Sequence, residues 1–152
     1  MRVSENEIFD GLDPIEIVKR WYNEAKESEL NDPDAVALST VDSEGLPNVR
    51  IVLMRLILTD GFTFFTNYES AKASEIFGNN KASFVYHWKT LRRQIRVRGM
   101  ASREDSILAD QYFEGRSLGS RYGAWASKQS QPLAQKEVLF DQVAKLKNEL
   151  GT

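Results

Sequence analysis

The segment AVALSTVDSEGLPNVRIVLMRLILTDGFTFFT, residues 35–66, decides the fold. Three runs rich in β-branched and aromatic residues predict strands at 35–41, 49–58 and 62–66. Turn sequences separate the runs, Asp-Ser-Glu-Gly after the first and Thr-Asp-Gly after the second. Because short turns join antiparallel neighbours, this segment predicts an antiparallel sheet.

Further predicted elements lie on both sides of this segment. A first helix begins at Asp13-Pro14, where an N-cap residue precedes a proline. A short helix at 70–77 precedes two more strands, at 82–88 and 91–102. The chain then becomes helical, with predicted helices at 104–113, 120–126 and 132–150. This order predicts an α+β fold with a barrel or curled sheet, because strands and helices do not alternate as in a Rossmann fold.

The composition of the 152 residues excludes several kinds of site. The chain has no cysteine, which rules out disulfides, thiolate nucleophiles and cysteine-bound zinc. His87 is the single histidine, so one chain cannot form a multi-histidine metal site, and we expect no metal. No apolar run approaches the roughly 20 residues that span a bilayer, and the polar N-terminus is unlike a signal peptide. We therefore expect one cytoplasmic domain that does not bind membranes.

The net charge of −2 conceals a segregation of charge. Residues 1–34 carry 4 basic and 10 acidic side chains, whereas residues 35–103 carry 10 basic and 5 acidic ones. A basic middle segment is typical of proteins that bind a phosphate-bearing ligand or nucleic acid. A solvated basic face is the alternative interpretation.

Arg50 and Arg55 are the first candidate binding residues, because they interrupt the apolar strand at 49–58. A buried guanidinium needs a partner, which a phosphate or another acidic group could provide. Five positions apart, the two side chains point to opposite faces unless a β-bulge lies between them. The alternative is that both lie at strand ends or edges over the sheet.

Three further groups contain residue types that hold phosphates or ring systems. Hydroxyls and a lysine at a helix start suit an oxyanion, although they also suit an ordinary N-cap. The second group is a glutamine among arginines on the fifth strand, whose side chains alternate between its two faces. The third group is a phenol, a guanidinium and a hydroxyl at four-residue spacing, and these three side chains would share one face of a helix. The three groups are Thr66, Asn67, Ser70 and Lys72; Gln94 with Arg92, Arg93, Arg96 and Arg98; and Tyr112, Arg116 and Ser120.

Taken together, these segments resemble the pyridoxamine 5′-phosphate oxidase family over about residues 12–150. The matching motifs follow the order of the family along the chain, and the last is the most specific. They are DPIEIVKRW at 13–21, NVRIVLMR at 48–55, FFTNYESAK at 64–72, WKTLRRQIRVRG at 88–99, YFEGR at 112–116 and SRYGAWASKQS at 120–130.

The resemblance implies an antiparallel FMN-binding split β-barrel with flanking helices, formed by residues 13–152 after a flexible segment, 1–12. It implies a homodimer with FMN at the interface, which oxidises pyridoxamine or pyridoxine 5′-phosphate to pyridoxal 5′-phosphate and reduces oxygen to hydrogen peroxide, without a nucleic-acid partner. The implied flavin contacts are Arg50, Ile51, Val52, Leu53, Met54, Arg55, Phe65, Thr66, Lys72, Gln94, Gln129 and Ser130. The implied substrate contacts are Tyr112, Arg116 and Ser120, with Arg55 near both substrate and flavin.

The chain departs from the family pattern at three places. Arg55 stands where the family usually has lysine, and Ala71 where it commonly has arginine. The later strands of the family, with W-G-G and R-L-H-D-R motifs, are not among the 152 residues, so we expect the biological chain to continue. The departures leave open another FMN-dependent oxidoreductase or flavin reductase of the same superfamily, or a non-catalytic protein that binds flavin or pyridoxal phosphate.

Overall fold

The computed structural model describes residues 13–104 and 107–150, so the predicted flexible segment 1–12 lies outside the described residues. Five strands and five helices are described. In chain order they are α1 Pro14–Ser28, β1 Ala35–Val41, β2 Pro47–Ile57, β3 Phe62–Phe64, α2 Ala71–Asn79, β4 Lys81–Trp88, β5 Arg93–Met100, α3 Leu108–Glu114, α4 Leu118–Ala126 and α5 Lys136–Leu150.

The described chain divides into two compact units. We call residues 13–65 and 81–100 the strand unit, because they contain α1 and all five strands. We call residues 66–80, 101–104 and 107–150 the helical unit, which contains α2 to α5. Among the described residues, no helix is both long enough and apolar enough to cross a membrane.

The strand unit contains a single five-stranded sheet in the order β3-β2-β1-β4-β5. All four pairs of neighbouring strands are antiparallel, as the turn sequences predict. β1 is the central strand: Leu38 is paired with Arg50 of β2 on one side and with Phe84 of β4 on the other. The burial of β1 alternates strictly, so its two faces have different surroundings.

The inner face of the sheet carries the hydrophobic core of the strand unit. Met54 of β2 and Trp88 of β4 are almost completely buried there, and Trp21 and Ala25 of α1 pack against them. The indole Nε1 of Trp88 donates a hydrogen bond of 2.8 Å to the carbonyl oxygen of Pro33. The sheet and α1 therefore form the two layers that an α+β fold requires.

Local hydrogen bonds explain where the first helix begins and ends. The side chain of Asp13 accepts a hydrogen bond from the main-chain N–H of Ile15, as predicted for an N-cap. The carboxylate of Glu29, just after α1, accepts from the main-chain N–H groups of Thr90 and Leu91. Glu29 thereby holds the turn between β4 and β5 and explains why β5 begins at Arg93 rather than at residue 91 as predicted.

Several helices of the helical unit begin at different positions from those predicted. α4 begins at Leu118 rather than at residue 120, because Ser117 is its N-cap and accepts from the main-chain N–H of Ser120. α3 begins at Leu108 rather than at residue 104, and α5 at Lys136 rather than at residue 132. α2 extends to Asn79 rather than ending at residue 77, and its C-cap residue Asn80 is in the left-handed conformation with φ of 53°.

The core of the strand unit contains one buried hydroxyl that its neighbours do not satisfy. Tyr86 is fully buried, and its hydroxyl has no hydrogen-bond partner among the described residues. Burial, with smaller contributions from Tyr22 and Asp34, raises the pKa of Tyr86 well above its usual range. The phenol therefore stays neutral at pH values where an exposed tyrosine ionises.

We expect the substitution Tyr86→Phe to leave the free energy of unfolding at pH 7 unchanged or to raise it by about 1 kcal/mol, because it removes a buried polar group without a partner. Above about pH 10, the unfolded wild-type chain releases the Tyr86 proton before the folded chain does, so rising pH destabilises the wild type. Urea denaturation at pH 7 and above about pH 10 measures the free energy of unfolding at each pH. Between the two pH values, this free energy should fall less for the variant than for the wild type.

Trp88→Phe is the matched control for this experiment. This substitution removes the hydrogen bond to Pro33 and leaves a cavity in the same core, so we expect it to cost about 2–4 kcal/mol. A comparable cost for Tyr86→Phe at pH 7 would contradict our description of its hydroxyl.

Candidate functional site

A buried lysine is the centre of a polar cluster in the helical unit. The Lys72 ammonium donates hydrogen bonds of 3.0 Å to Thr66 Oγ1 and to Gln129 Oε1. Ser70 is fully buried, and its hydroxyl lies 3.4 Å from Thr66 Oγ1. We call Thr66, Ser70, Lys72 and Gln129 the Lys72 cluster.

The start of α2 positions two members of the Lys72 cluster. Ser70 is the N-cap residue of α2, yet its side chain makes no capping hydrogen bond and lies towards Thr66 instead. Asn67 forms a local turn before the helix, because its side chain accepts a hydrogen bond of 2.7 Å from the main-chain N–H of Glu69, which precedes the N-cap. The ordinary N-cap interpretation therefore fits the side chain of neither Ser70 nor Asn67.

The Lys72 cluster has the chemistry of an oxyanion site. Lys72 is 7% exposed, and two of the groups that it contacts, Thr66 and Gln129, accept through neutral oxygens. A phosphate would place full negative charge against a desolvated ammonium, and charge-assisted hydrogen bonds are about twice as strong as neutral ones. The hydroxyls of Thr66 and Ser70 add donors of the kind that phosphate oxygens accept.

The segment after α4 brings Gln129 into this cluster. The main-chain carbonyl of Ser127 accepts a hydrogen bond of 3.4 Å from the Asn67 side chain, so two contacts hold this segment to the start of α2. Ser130 follows in the left-handed conformation, with φ of 66°. The structure thus joins residues of two separate sequence motifs, 64–72 and 120–130.

The predicted substrate residues do not share one continuous helix. Tyr112 lies in α3, which ends at Glu114, and Ser120 lies in α4, which begins at Leu118. Arg116 lies in the connection, where its main-chain N–H donates to the carbonyl oxygen of Phe113. The condition for a shared helical face is therefore not met. The hydroxyl of Ser117 also donates a hydrogen bond of 2.9 Å to the Ser120 hydroxyl.

In the strand unit, Arg50 lies on the inner face near one end of the sheet. Its guanidinium donates to the hydroxyl of Thr40, a fully buried residue of β1, and more weakly to the carbonyl oxygens of Leu38 and Asn48 at 3.4 Å. Val52 and Met54 follow on the same face and belong to the core, so any contact they make with a ligand would use their main chain.

Arg55 has different surroundings from Arg50. The register of β2 against β3 shifts between Met54 and Leu56, so Arg55 itself lies at an irregularity of the strand pair. Its guanidinium forms an ion pair with Asp34, with 2.6 Å between Nη1 and Oδ2. The Arg55 side chain remains 36% exposed, whereas that of Asp34 is 12% exposed.

The outer face of the sheet combines apolar and basic side chains. Val49 and Ile51 of β2 are 63% and 67% exposed there, although both are large aliphatic residues. Gln94 lies opposite His87 on the same side of the ladder, and Arg96 and Arg98 follow it on that face of β5, as predicted. Of the remaining predicted flavin contacts, Leu53 is half-buried in β2, and Phe65 is half-buried just after β3.

The sequence interpretation missed Thr40 and Asp34, the partners of the two arginines. Thr40 continues the inward-facing series of Val36 and Leu38, so strand periodicity could have identified it as a buried hydroxyl. Asp34 immediately precedes β1 and looks like part of the turn sequence Asn-Asp-Pro-Asp, so no pattern distinguishes it.

Comparisons with known proteins agree on one family. The family model described as pyridoxamine 5′-phosphate oxidase matches residues 22–148. A pyridoxine/pyridoxamine 5′-phosphate oxidase from Roseobacter denitrificans is 58% identical over 144 residues, which cover 95% of this chain and 72% of the relative. The protein of the same name from a Ruegeria species is 57% identical with the same coverage.

Solved structures confirm the predicted split-barrel fold. PhzG from Burkholderia lata 383, in complex with tetrahydrophenazine-1-carboxylic acid, matches with a TM-score of 0.90 and 27% identity over 99% of this chain and 75% of that one. A pyridoxamine 5′-phosphate oxidase-related, FMN-binding protein from Nostoc punctiforme matches with a TM-score of 0.66 and 22% identity over 86% of this chain and 72% of that one. With its family model, relatives and fold in agreement, the chain belongs to the pyridoxamine 5′-phosphate oxidase family.

Proposed function

We propose that this protein is an FMN-dependent oxidase that converts pyridoxamine or pyridoxine 5′-phosphate to pyridoxal 5′-phosphate, with reduction of oxygen to hydrogen peroxide. The observation that carries the proposal is the Lys72 cluster, in which a buried ammonium donates to a hydroxyl and to an amide oxygen within the family motifs. The names of relatives at 58% and 57% identity support the same reaction.

The donors of the Lys72 cluster fit the phosphate group of FMN. The ammonium of Lys72 would supply the charge, and the hydroxyls of Thr66 and Ser70 would supply short hydrogen bonds. Gln129 would lose one bond to Lys72 when the phosphate enters but keeps an amide group that can donate to it. Ser130, adjacent to Gln129, completes the contacts that we propose in the helical unit.

The family motifs also assign flavin contacts to residues of the strand unit. Gln94 is exposed on the outer face and has both a donor and an acceptor, which suits the edge of an isoalloxazine ring. Ile51 and Leu53 lie on that face of β2 as well, whereas Arg50 lies on the inner face and offers a guanidinium to an anionic group. Val52, Met54, Arg55 and Phe65 complete the proposed set.

FMN, when bound, supplies the redox chemistry, namely acceptance of a hydride from the C4′ carbon of the substrate and reduction of oxygen to hydrogen peroxide. The residues of this chain have to bind and orient the two phosphorylated molecules. We assign the substrate phosphate to Tyr112, Arg116 and Ser120, because a phenol, a guanidinium and a hydroxyl all donate to phosphate oxygens. We assign orientation of the substrate to Arg55.

We also propose that the enzyme is a homodimer that binds FMN at its interface. The exposed aliphatic side chains of Val49 and Ile51 on the outer face support this assembly, because burying them against a second copy removes apolar surface from water. Gln94 lies on the same face, so a flavin held by Gln94 would be close to such an interface.

A second candidate is an FMN-dependent oxidoreductase that acts on another substrate. The structural likeness to PhzG, which was solved with tetrahydrophenazine-1-carboxylic acid, favours this candidate, since that ligand is a carboxylic acid without a phosphate. The two candidates differ in whether a phosphate on the substrate is required.

The purified protein tests the proposal directly. We expect a flavin absorption spectrum that stays with the protein after unbound FMN is removed, a dimeric mass in solution, and release of hydrogen peroxide with pyridoxamine 5′-phosphate but not with pyridoxamine. Turnover that is equally fast without the phosphate would favour the second candidate. A protein that is colourless after incubation with excess FMN and removal of the unbound flavin would overturn both.

The substitution Lys72→Met should weaken FMN binding by at least about tenfold, because it removes the cation that we assign to the cofactor phosphate. Riboflavin has the same ring system without the phosphate, so its affinity should change much less. Fluorescence quenching titrations with both flavins measure the difference, and the melting temperature of the flavin-free variant checks its folding.

Lys81→Met is the control for Lys72→Met, because Lys81 is an exposed lysine at the start of β4 and outside the proposed site. We expect this control to bind both flavins like the wild type. If Lys72→Met weakens FMN and riboflavin equally, the phosphate is not bound at the Lys72 cluster.

The substitution Arg116→Ala should raise the dissociation constant of pyridoxal 5′-phosphate about 10- to 100-fold, because a guanidinium–phosphate hydrogen bond is charge-assisted. The control is Lys145→Ala, which removes an exposed cation of α5. Equilibrium titration of the FMN-loaded proteins measures both constants. An Arg116→Ala protein with unchanged affinity would refute the assignment of the substrate phosphate.

A further inference from the structure

Asp34 is a buried carboxylate that the proposed function does not use. Asp34 is 8% exposed as a whole residue, and its Oδ2 atom lies 2.6 Å from Nη1 of Arg55. A buried carboxylate is costly unless it is paired, so the ion pair accounts for its charge. The partner is a residue to which we assign contacts with both flavin and substrate.

Two hydrogen bonds fix the main chain at Asp34 and at the preceding residue. The carbonyl oxygen of Asp34 accepts a hydrogen bond of 2.8 Å from the main-chain N–H of Met54, the residue before Arg55. The carbonyl oxygen of Pro33 accepts from the indole of Trp88, which belongs to the buried core. The carboxylate therefore projects from a fixed piece of main chain, and the same ladder positions Arg55.

Arg55 lies at an irregular position of the β2–β3 strand pair. The β2–β3 register shifts at its position, and the side chain is 36% exposed. A long side chain that starts from an irregular strand position samples several rotamers unless a partner holds it. Asp34 provides such a partner on the buried side of Arg55, while part of the side chain remains accessible.

We propose that Asp34 is a positioning residue for Arg55: its carboxylate fixes the orientation of the guanidinium that meets the ligand and balances its charge. Arg55 then acts as an oriented set of N–H donors and not as a free cation. This inference rests on the proposed function, because the ligand of Arg55 is the flavin and the phosphorylated B6 substrate of that reaction.

Two tyrosine side chains lie close to the buried side of the pair. After burial, the largest influences on the pKa of Tyr22 are Asp34, which raises it, and Arg55, which lowers it, so the phenol is close to both charges. Tyr86 is close to Asp34 as well. Only the Asp34 carboxylate is largely removed from water, at 12% exposed, and this burial strengthens its attraction to the guanidinium.

The first test measures the order of the Arg55 guanidinium without FMN. We expect the side-chain N–H signals of Arg55 in ¹⁵N-labelled protein to show hindered rotation in the wild type and averaged rotation in Asp34→Asn. The Arg55→Lys protein identifies these signals by their disappearance. The Arg93–Glu24 ion pair, at 2.5 Å, is the matched control, since Glu24→Gln should affect Arg93 and leave Arg55 unchanged. A guanidinium of Arg55 that already rotates freely in the wild type would overturn the proposal.

The second test separates positioning from a purely structural role. With the FMN-loaded enzyme, Asp34→Asn should lower kcat/KM for pyridoxamine 5′-phosphate about 10- to 100-fold, because a misplaced ligand-binding group costs this much. Asp34→Glu, which keeps the carboxylate, should recover part of the loss. Glu24→Gln should leave kcat/KM unchanged even if its melting temperature falls.

The outcomes distinguish this inference from the proposed function. If Asp34→Asn lowers the melting temperature but leaves kcat/KM unchanged, the pair is only structural and the inference is wrong. If the wild-type protein fails to bind FMN, the proposed function is wrong, whereas the N–H signals still decide whether Asp34 orders Arg55.

Discussion

The packing of α1 against the inner face of the sheet is the contact on which the rest of the structure depends. Trp21 and Ala25 cover the buried aromatic residues Tyr86 and Trp88, and burial of such side chains is the main stabilising term in a domain of this size. At the edge of this layer, the guanidinium carbon of Arg93 lies 4.7 Å from the centre of the Trp21 ring. The same guanidinium forms an ion pair with Glu24. Without this layer, the inner face of the sheet would be exposed to water.

The strands could be predicted from the sequence with little error, because strand periodicity and turn residues are local signals. β1 was predicted with its exact bounds, and β2 and β4 within two residues. The errors lie where a distant side chain decides the boundary. Glu29 holds the turn before β5 through a hydrogen bond between residues about sixty positions apart in the sequence. A prediction based on local sequence patterns cannot detect such a contact.

The candidate site was predictable as residue types but not as an arrangement. Lys72 and Thr66 are close in sequence, so their association could be expected, whereas Gln129 reaches the same ammonium from 57 positions away. Family motifs supply that association, and the charge pattern alone does not. Asp34 was missed for a different reason: a carboxylate beside a proline is an ordinary turn residue, and only the structure shows that it is buried.

The order of the strands also has a consequence for the speed of folding. β1 and β2 form a local hairpin, as do β4 and β5, but β1 pairs with β4, which brings Val36 beside Tyr86. The chain between β1 and β4 includes β2, β3 and α2, so pairing of β1 with β4 closes a long loop. Closing this loop costs conformational entropy before the new contacts compensate for it. The two hairpins can therefore form early, and their union across the centre of the sheet is the step that we expect to limit the folding rate.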